Sequence, residues 1–246
     1  MKYYVTADIH GFYSIFLCAL TEAGYFTEPE PHKLVILGDL FDRGREAKAL
    51  QKFIRKRREE MILIRGNHED LFQEMVTTDE GLPYSHHVSN GTFDTALQLT
   101  GFDPVMAQLR HWDFAEAAQK TPYYTEIIPS MLDYYETENY VFTHGWIPCI
   151  RGKTGYSYLS EWRESSAGEW RNARWYNGMD AVSTCREEKS ILCGHWHTSY
   201  GHSKLEGKGT EFGPDADFSP YMAPGIIALD ACTAFSRQVN VFVLED

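Results

Sequence analysis

The feature that most limits what this chain can fold into is the alternation, over its first seventy residues, of short apolar runs with longer amphipathic segments. The apolar runs cover residues 2–7, 33–37 and 61–64, each of strand length. Between them, residues 12–23 and 45–58 carry helical spacing. In the second of these, Ala47, Leu50 and Ile54 share one face while Lys52, Arg55, Lys56 and Arg58 take the others. Strand, helix, strand, helix, strand is the pattern of parallel βαβ units, so the expected class is α/β. In such sheets a ligand site forms beyond the carboxyl ends of the strands.

The residues just past the three runs are Asp8-Ile9-His10-Gly11, Gly38-Asp39-Leu40-Phe41-Asp42-Arg43-Gly44 and Gly66-Asn67-His68-Glu69. All three turns carry side chains able to bind metal, and all three should lie along one edge. Asp8 and His10, two apart, can project to the same side in extended backbone and share an ion, although such a pair also arises by chance. Asp39 follows a buried run, where an unpaired carboxylate is costly, so it needs a metal or another cation. The structural alternatives are Asp42 or Asn67 as helix N-caps and Arg43 as a surface ion-pair partner.

Later strands, expected at 134–136, 140–143, 190–193, 225–229 and 239–244, deliver more of the same chemistry. His144 follows the second of them, and His195 and His197 follow the third with the spacing of Asp8 and His10. A lone histidine after a strand is usually a satisfied polar residue. Five strand ends so equipped are hard to explain without metal, and imidazole, carboxylate and amide oxygen together suit Mn, Fe or Zn better than calcium.

The 246 residues, 43% hydrophobic, can fill a core and fit one domain spanning 1–246. From about 70 to 131 the spacing turns helical, broken at Gly81-Leu82-Pro83, Asn90-Gly91 and Gly101-Phe102-Asp103-Pro104, which reads as a helical insertion or cap. Residues 151–182 have no clear period and read as loop with short helices. A net charge of -12 disfavours non-specific binding to nucleic acid or an anionic membrane, so an anionic substrate needs local positive charge, which bound metal supplies. The amino terminus lacks signal-peptide character, and the five scattered cysteines suggest neither a disulfide framework nor a zinc ribbon. A cytoplasmic setting is the resulting expectation. The abundant aromatic residues read as core and cap packing, and His32, His86, His87, His111 and His202 as surface or packing residues, with His86 and His87 weaker candidates for a substrate-facing cap.

Taken in order, Asp8-x-His10, GDxxDRG at 38–44, GNHE at 66–69, His144 and Gly194-His195-x-His197 resemble the calcineurin-like metallophosphoesterase superfamily. The second and third forms are similar to its phosphoprotein phosphatase branch, which includes bacterial diadenosine tetraphosphatases. The pair His195 and His197, where many members of that branch have one histidine, is similar to the wider superfamily. The resemblance implies a two-sheet β-sandwich flanked by helices. It implies that Asp8, His10, Asp39 and His197 hold one divalent ion, and that Asp39, Asn67, His144 and His195 hold the other. It further implies a hydroxide bridging the two ions as nucleophile. His68, oriented by Asp42, would protonate the leaving oxygen and Arg43 would bind phosphate oxygens. Arg171 and Arg174 are the candidates for a second phosphate-binding arginine.

The leading expectation is thus a phosphomonoesterase with two divalent ions, manganese first and iron or zinc next, resembling bacterial Ser/Thr protein phosphatases. Its substrate would be a phosphorylated protein, nucleotide or small molecule. A dinucleoside polyphosphate hydrolase is the enzymatic alternative, because the same core cleaves anhydrides and the helical insertion could stack a base. A non-catalytic scaffold is the third reading, and it should lack ligands or the proton donor; none is missing here.

Overall fold

The structure is a computed structural model that describes residues 1–78, 85–152 and 155–246. The first half runs β1 (Lys2–Thr6), α1 (Tyr13–Glu22), β2 (His32–Leu37), α2 (Ala47–Lys56) and β3 (Met61–Ile64). Helix α2 buries Ala47, Leu50, Phe53 and Ile54, the face its spacing defines. A helical stretch follows: α3 (Asn67–Thr77), α4 (Ser85–Asn90), α5 (Thr92–Thr100), α6 (Pro104–Leu109) and α7 (His111–Gln119). The expected break at Gly101-Phe102-Asp103-Pro104 has visible causes. Gly101 stops α5 in a left-handed conformation (φ 81°), and the Asp103 carboxylate caps α6 by accepting from the Val105 and Met106 N–H groups. The break at Gly81-Leu82-Pro83 lies outside the described residues.

The second half comprises β4 (Tyr135–Glu136), β5 (Tyr140–Phe142), β6 (Cys149–Gly152), β7 (Gly155–Tyr158), α8 (Ala167–Ala173), α9 (Gly178–Ala181), β8 (Ser190–Cys193), α10 (Thr198–Tyr200), β9 (Tyr221–Ala223), β10 (Ile226–Ala228), α11 (Thr233–Ser236) and β11 (Phe242–Glu245). The α/β class and the helix-flanked two-sheet sandwich are observed. One sheet has the order β11-β1-β2-β3 and the other β4-β5-β8-β10-β9. In each, three strands are parallel, β1, β2 and β3 in one and β5, β8 and β10 in the other, with antiparallel strands only at edges.

Strand alternation builds the layers. Tyr3, Val5, Val35, Leu37, Phe142, Leu192 and Ile227 meet between the sheets, while Tyr4, Leu34 and Ile36 turn outward onto the helices of the first half and Val141 and Ile191 onto those of the second. Both faces of the parallel strands are therefore buried, which is why they read as continuous apolar runs.

Three features depart from expectation. The irregular 151–182 region contributes strand, since β6 and β7 form a hairpin with Arg151 opposite Tyr156. Most of its residues are exposed on both faces, so no apolar alternation marks it. Strand β9 was also not apparent from the sequence. Finally, Cys149 and Cys185 form a disulfide, correcting the expectation from scattered cysteines. Their approach is tertiary: the buried Trp146 indole donates to the Cys185 carbonyl (2.9 Å), drawing the segment after α9 onto the turn that precedes β6. Among the described residues no helix is long and apolar enough to cross a membrane.

Candidate metal centre

The turns after β1, β2, β3, β5 and β8 converge at the carboxyl edge of the two sheets. Asp39 is at their centre, 2% exposed. Its Oδ2 lies 3.8 Å from both His10 Nε2 and His68 Nε2, and its Oδ1 lies 3.4 Å from His144 Nε2. Two overlapping clusters result, His10 with Asp39 and His68, and Asp39 with His144 and His195, the ligand atoms in each within 4.8 Å of one another.

Hydrogen bonds fix which nitrogen faces inward. His10 Nδ1–H donates to the Phe41 carbonyl (3.0 Å) and His144 Nδ1–H to the Leu37 carbonyl (2.6 Å). The lone pairs on both Nε2 atoms therefore point toward Asp39. His144 Nε2 also faces Asn67 Oδ1 at 2.8 Å. Two acceptors at that distance repel unless a cation lies beside them. Asp8 Oδ1 is likewise buried without a hydrogen-bond partner. Such donors fit a divalent metal well.

The electrostatics agree. Burial, with the Arg43 charge, pushes the His10 imidazole well below its usual range. Burial lowers His144, and burial with the neighbouring His144 lowers His195 to about 3. Neutral imidazole is the form that binds metal. Burial, then Asp230 and Asp39, raise Asp8, whereas the surrounding imidazoles outweigh the burial of Asp39 and hold it low.

The backbone is bent to serve this arrangement. Asp8, His10, Asp39, Asp42, Arg43 and His195 all have positive φ (51°, 50°, 50°, 73°, 62° and 65°). For residues with a Cβ this costs about 1 to 3 kcal/mol each and clusters where function demands it. It also replaces the extended geometry expected for Asp8 and His10, whose aim comes from left-handed turns instead. Gly66 and Gly194 allow the closest approaches, because a Cβ there would strike Asp39 Oδ1 and Asp8 Oδ2 respectively.

Asn67 is the first residue of α3 rather than its N-cap, a position taken by Gly66. Asp42 is likewise no cap. Its Oδ2 accepts from His68 Nδ1–H (2.6 Å) and from the Thr92 hydroxyl (2.7 Å), while its N–H donates to Thr95 Oγ1 (2.9 Å). Helix α5 thus braces the His68–Asp42 pair from the helical stretch. Arg43 Nη2 lies 3.3 Å from His68 Nε2. For His68, burial would lower the pKa, but the Asp39 charge and the Asp42 bond prevail and raise it.

Asp8, Asn67, Asp42, Arg43, His197, Arg171 and Arg174 are outside these two clusters, and the last three are paired with carboxylates elsewhere. His197 Nε2 pairs with Glu211 Oε1 at 2.9 Å. Arg174 is buried against Asp70 (2.6 Å) and Asp133, and Arg171 pairs with Glu74 (3.1 Å), so both guanidinium groups are engaged by carboxylates.

Sequence reading missed several contributors. Glu69, visible in GNHE but given no role, accepts from the N–H groups of Asp39 (3.1 Å), Leu40 (3.1 Å) and Gly66 (2.8 Å) and from the Tyr123 hydroxyl (3.0 Å). It ties the turns after β2 and β3 together. Burial and the Asp39 charge push its carboxyl up to about 7 against those bonds. Asp230, after β10, is buried where its charge is felt by Asp8, and burial raises its own carboxyl to about 6. Glu211 had no signal, since it sits in an irregular stretch.

The sequence profile of calcineurin-like phosphoesterases matches residues 1–199. The chain belongs to this family. As a calcineurin-like phosphoesterase it is a metal-dependent hydrolase of phosphoester bonds acting on phosphorylated substrates. Among solved structures it is similar to a cold-active protein tyrosine phosphatase (TM-score 0.59, 16% identity, covering 99% of this chain and 73% of that one). A cold-active protein tyrosine phosphatase of a psychrophilic Shewanella species is also similar (0.56, 16%, 100% and 75%). So is a protein proposed to be a diadenosine tetraphosphatase (0.53, 14%, 99% and 89%). At these identities the likeness shows the fold. No curated protein matches the sequence.

Proposed function

We propose that this calcineurin-like phosphoesterase hydrolyses phosphate monoesters with two divalent ions shared across Asp39. The observation that carries the reading is the position of that carboxylate, with imidazoles on both of its oxygens. Asp8, His10, Asp39 and His197 would hold one ion, and Asp39, Asn67, His144 and His195 the other. Manganese is the first candidate, with iron and zinc next. Two such ions supply the positive charge that acidifies a water and stabilises the phosphoryl oxygens.

The chain's own residues account for the rest. Arg43, whose guanidinium lies beside His68, would hold phosphate oxygens. His68 delivers a proton from Nε2 to the leaving oxygen, while Asp42 keeps Nδ1–H fixed so that the ring cannot turn. We assign no phosphate contact to Arg171 or Arg174, given their carboxylate partners. We read the chain as one domain in which the helical stretch at about 70–131 is an insertion bracing Asp42. The cytoplasm is the proposed compartment, with the Cys149–Cys185 disulfide the observation that weighs against it.

The test is turnover of p-nitrophenyl phosphate by the protein reconstituted separately with Mn, Fe, Zn and Mg. Activity should require metal and vanish in His144→Ala. Equal turnover by metal-stripped protein would sink the reading. Comparing a phosphopeptide with diadenosine tetraphosphate separates monoesterase from the dinucleoside polyphosphate alternative.

A further inference from the structure

The six tryptophans divide into two groups. Trp146, Trp162 and Trp170 are buried, as core packing requires, but Trp112 on α7 is 55% exposed, Trp175 48% and Trp196 36%. Of these, Trp175 and Trp196 stand against the same imidazole, their centroids 5.7 and 6.1 Å from that of His195. Aromatic rings with one open face beside a reactive centre are surfaces for binding rather than for folding.

Trp175 has further structure around it. Its N–H donates to the Asn172 carbonyl (3.0 Å), closing the turn after α8. The same turn is tied to the strand end that carries His144, because the Trp146 N–H donates to the Ala173 carbonyl (3.1 Å). The ring is therefore held relative to the metal centre. It also lines a cleft of about 450 Å³ with Arg151, Asn172 and Tyr176. One tryptophan thus borders both the phosphate site and an adjoining recess with a cation and an amide at its edge.

We infer that this recess is a subsite for a planar aromatic group attached to the phosphate. The ring lies on Trp175, and Arg151 and Asn172 meet its polar edge. The inference rests on the phosphoesterase reading above and names its substrate class. A serine or glycerol phosphate offers nothing to a tryptophan face, whereas a phosphorylated phenol or a nucleotide carries a flat ring near the phosphorus. This surface lies on the second half of the chain, whereas base stacking was expected on the helical stretch, whose own exposed tryptophan, Trp112, packs beside His111.

Calorimetry on the Mn-loaded protein with non-hydrolysable phosphonates tests this without reference to leaving-group reactivity. Phenylphosphonate should bind about tenfold tighter than cyclohexylphosphonate of equal bulk, within the range that stacking on an aromatic side chain supplies. Trp175→Leu should erase the difference and Trp175→Phe should retain most of it. A parallel comparison, the phosphonate analogue of AMP against that of ribose 5-phosphate, identifies a nucleobase rather than a phenol if it gives the larger ratio. Equal binding of flat and puckered rings by the parent protein, or a preference that survives Trp175→Leu, overturns the subsite while leaving phosphoesterase activity intact. Failure of p-nitrophenyl phosphate turnover with every metal is the separate result that defeats the underlying function.

Discussion

The two sheets contribute to one site in unlike ways. The first delivers a braced constellation: Asp8, Asp39, Asp42 and Asn67 sit on turns bent into left-handed backbone or opening a helix, and Glu69 stitches two of those turns together through three backbone N–H groups. The second delivers imidazoles, His144, His195 and His197, surrounded by half-exposed rings and longer loops. The halves are joined by Arg174, a residue of the second half whose guanidinium is buried against Asp70 of the first. The difference teaches where precision and variety are kept. The groups proposed to move protons are over-determined by backbone, whereas the side proposed to meet the remainder of the substrate is built on connections that can vary.

That contrast is open to attack, first through the proton donor. If the first half houses the acid and the second does not depend on it, His68→Ala should cut turnover of alkyl phosphates by about 10² to 10⁴ with both ions retained. Activated aryl esters should suffer far less. Loss of metal together with rate, measured by elemental analysis of the purified variant, would mean that His68 is structural to the cluster and that the division fails.

A smaller effect should come from the second half. Glu211 accepts from His197 Nε2–H, and carboxylates behind ligating histidines typically govern metal affinity by about 10- to 100-fold. Glu211→Ala should weaken one Mn site by that order in a titration followed by electron paramagnetic resonance, with the other site unchanged. Unchanged affinity at both sites would remove His197 from the proposed ligand set.

The smallest effect separates site from scaffold. Arg163, with Lys189, holds the Glu136 carboxyl on β4 down to about 2, although burial works against this. Because the folded value is depressed, its contribution is present above about 4.5 and fades as the pH falls toward 2. Glu136→Gln should therefore melt slightly below the parent at neutral pH, by less than about 1 kcal/mol, with the gap closing in acid. A gap that widens on acidification would reverse the sign of this account.

Legibility followed the same boundary. In the first half, strand and helix alternate with clean periods, so β1 to β3 and their loaded turns could be read directly. In the second half β4, β5, β8, β10 and β11 fall near the expected runs, but three strands are hidden: β6 and β7 are exposed hairpin and β9 is three residues long, so none of them produces a period. Glu211 and Asp230 were invisible as site residues because nothing local distinguishes a carboxylate that will face an imidazole from one that will face water.

The sequence by itself determined the class of fold, the family and the side chains available at five strand ends, because buried parallel strands and polar turns are local patterns with fixed spacing. Only the tertiary structure decided which carboxylate oxygen faces which imidazole, that Arg174 is spent on Asp70, that Cys149 meets Cys185, and that Trp175 stands beside His195. Those relations join residues far apart along the chain, and they are set by how two sheets pack, a quantity that no single stretch of sequence encodes.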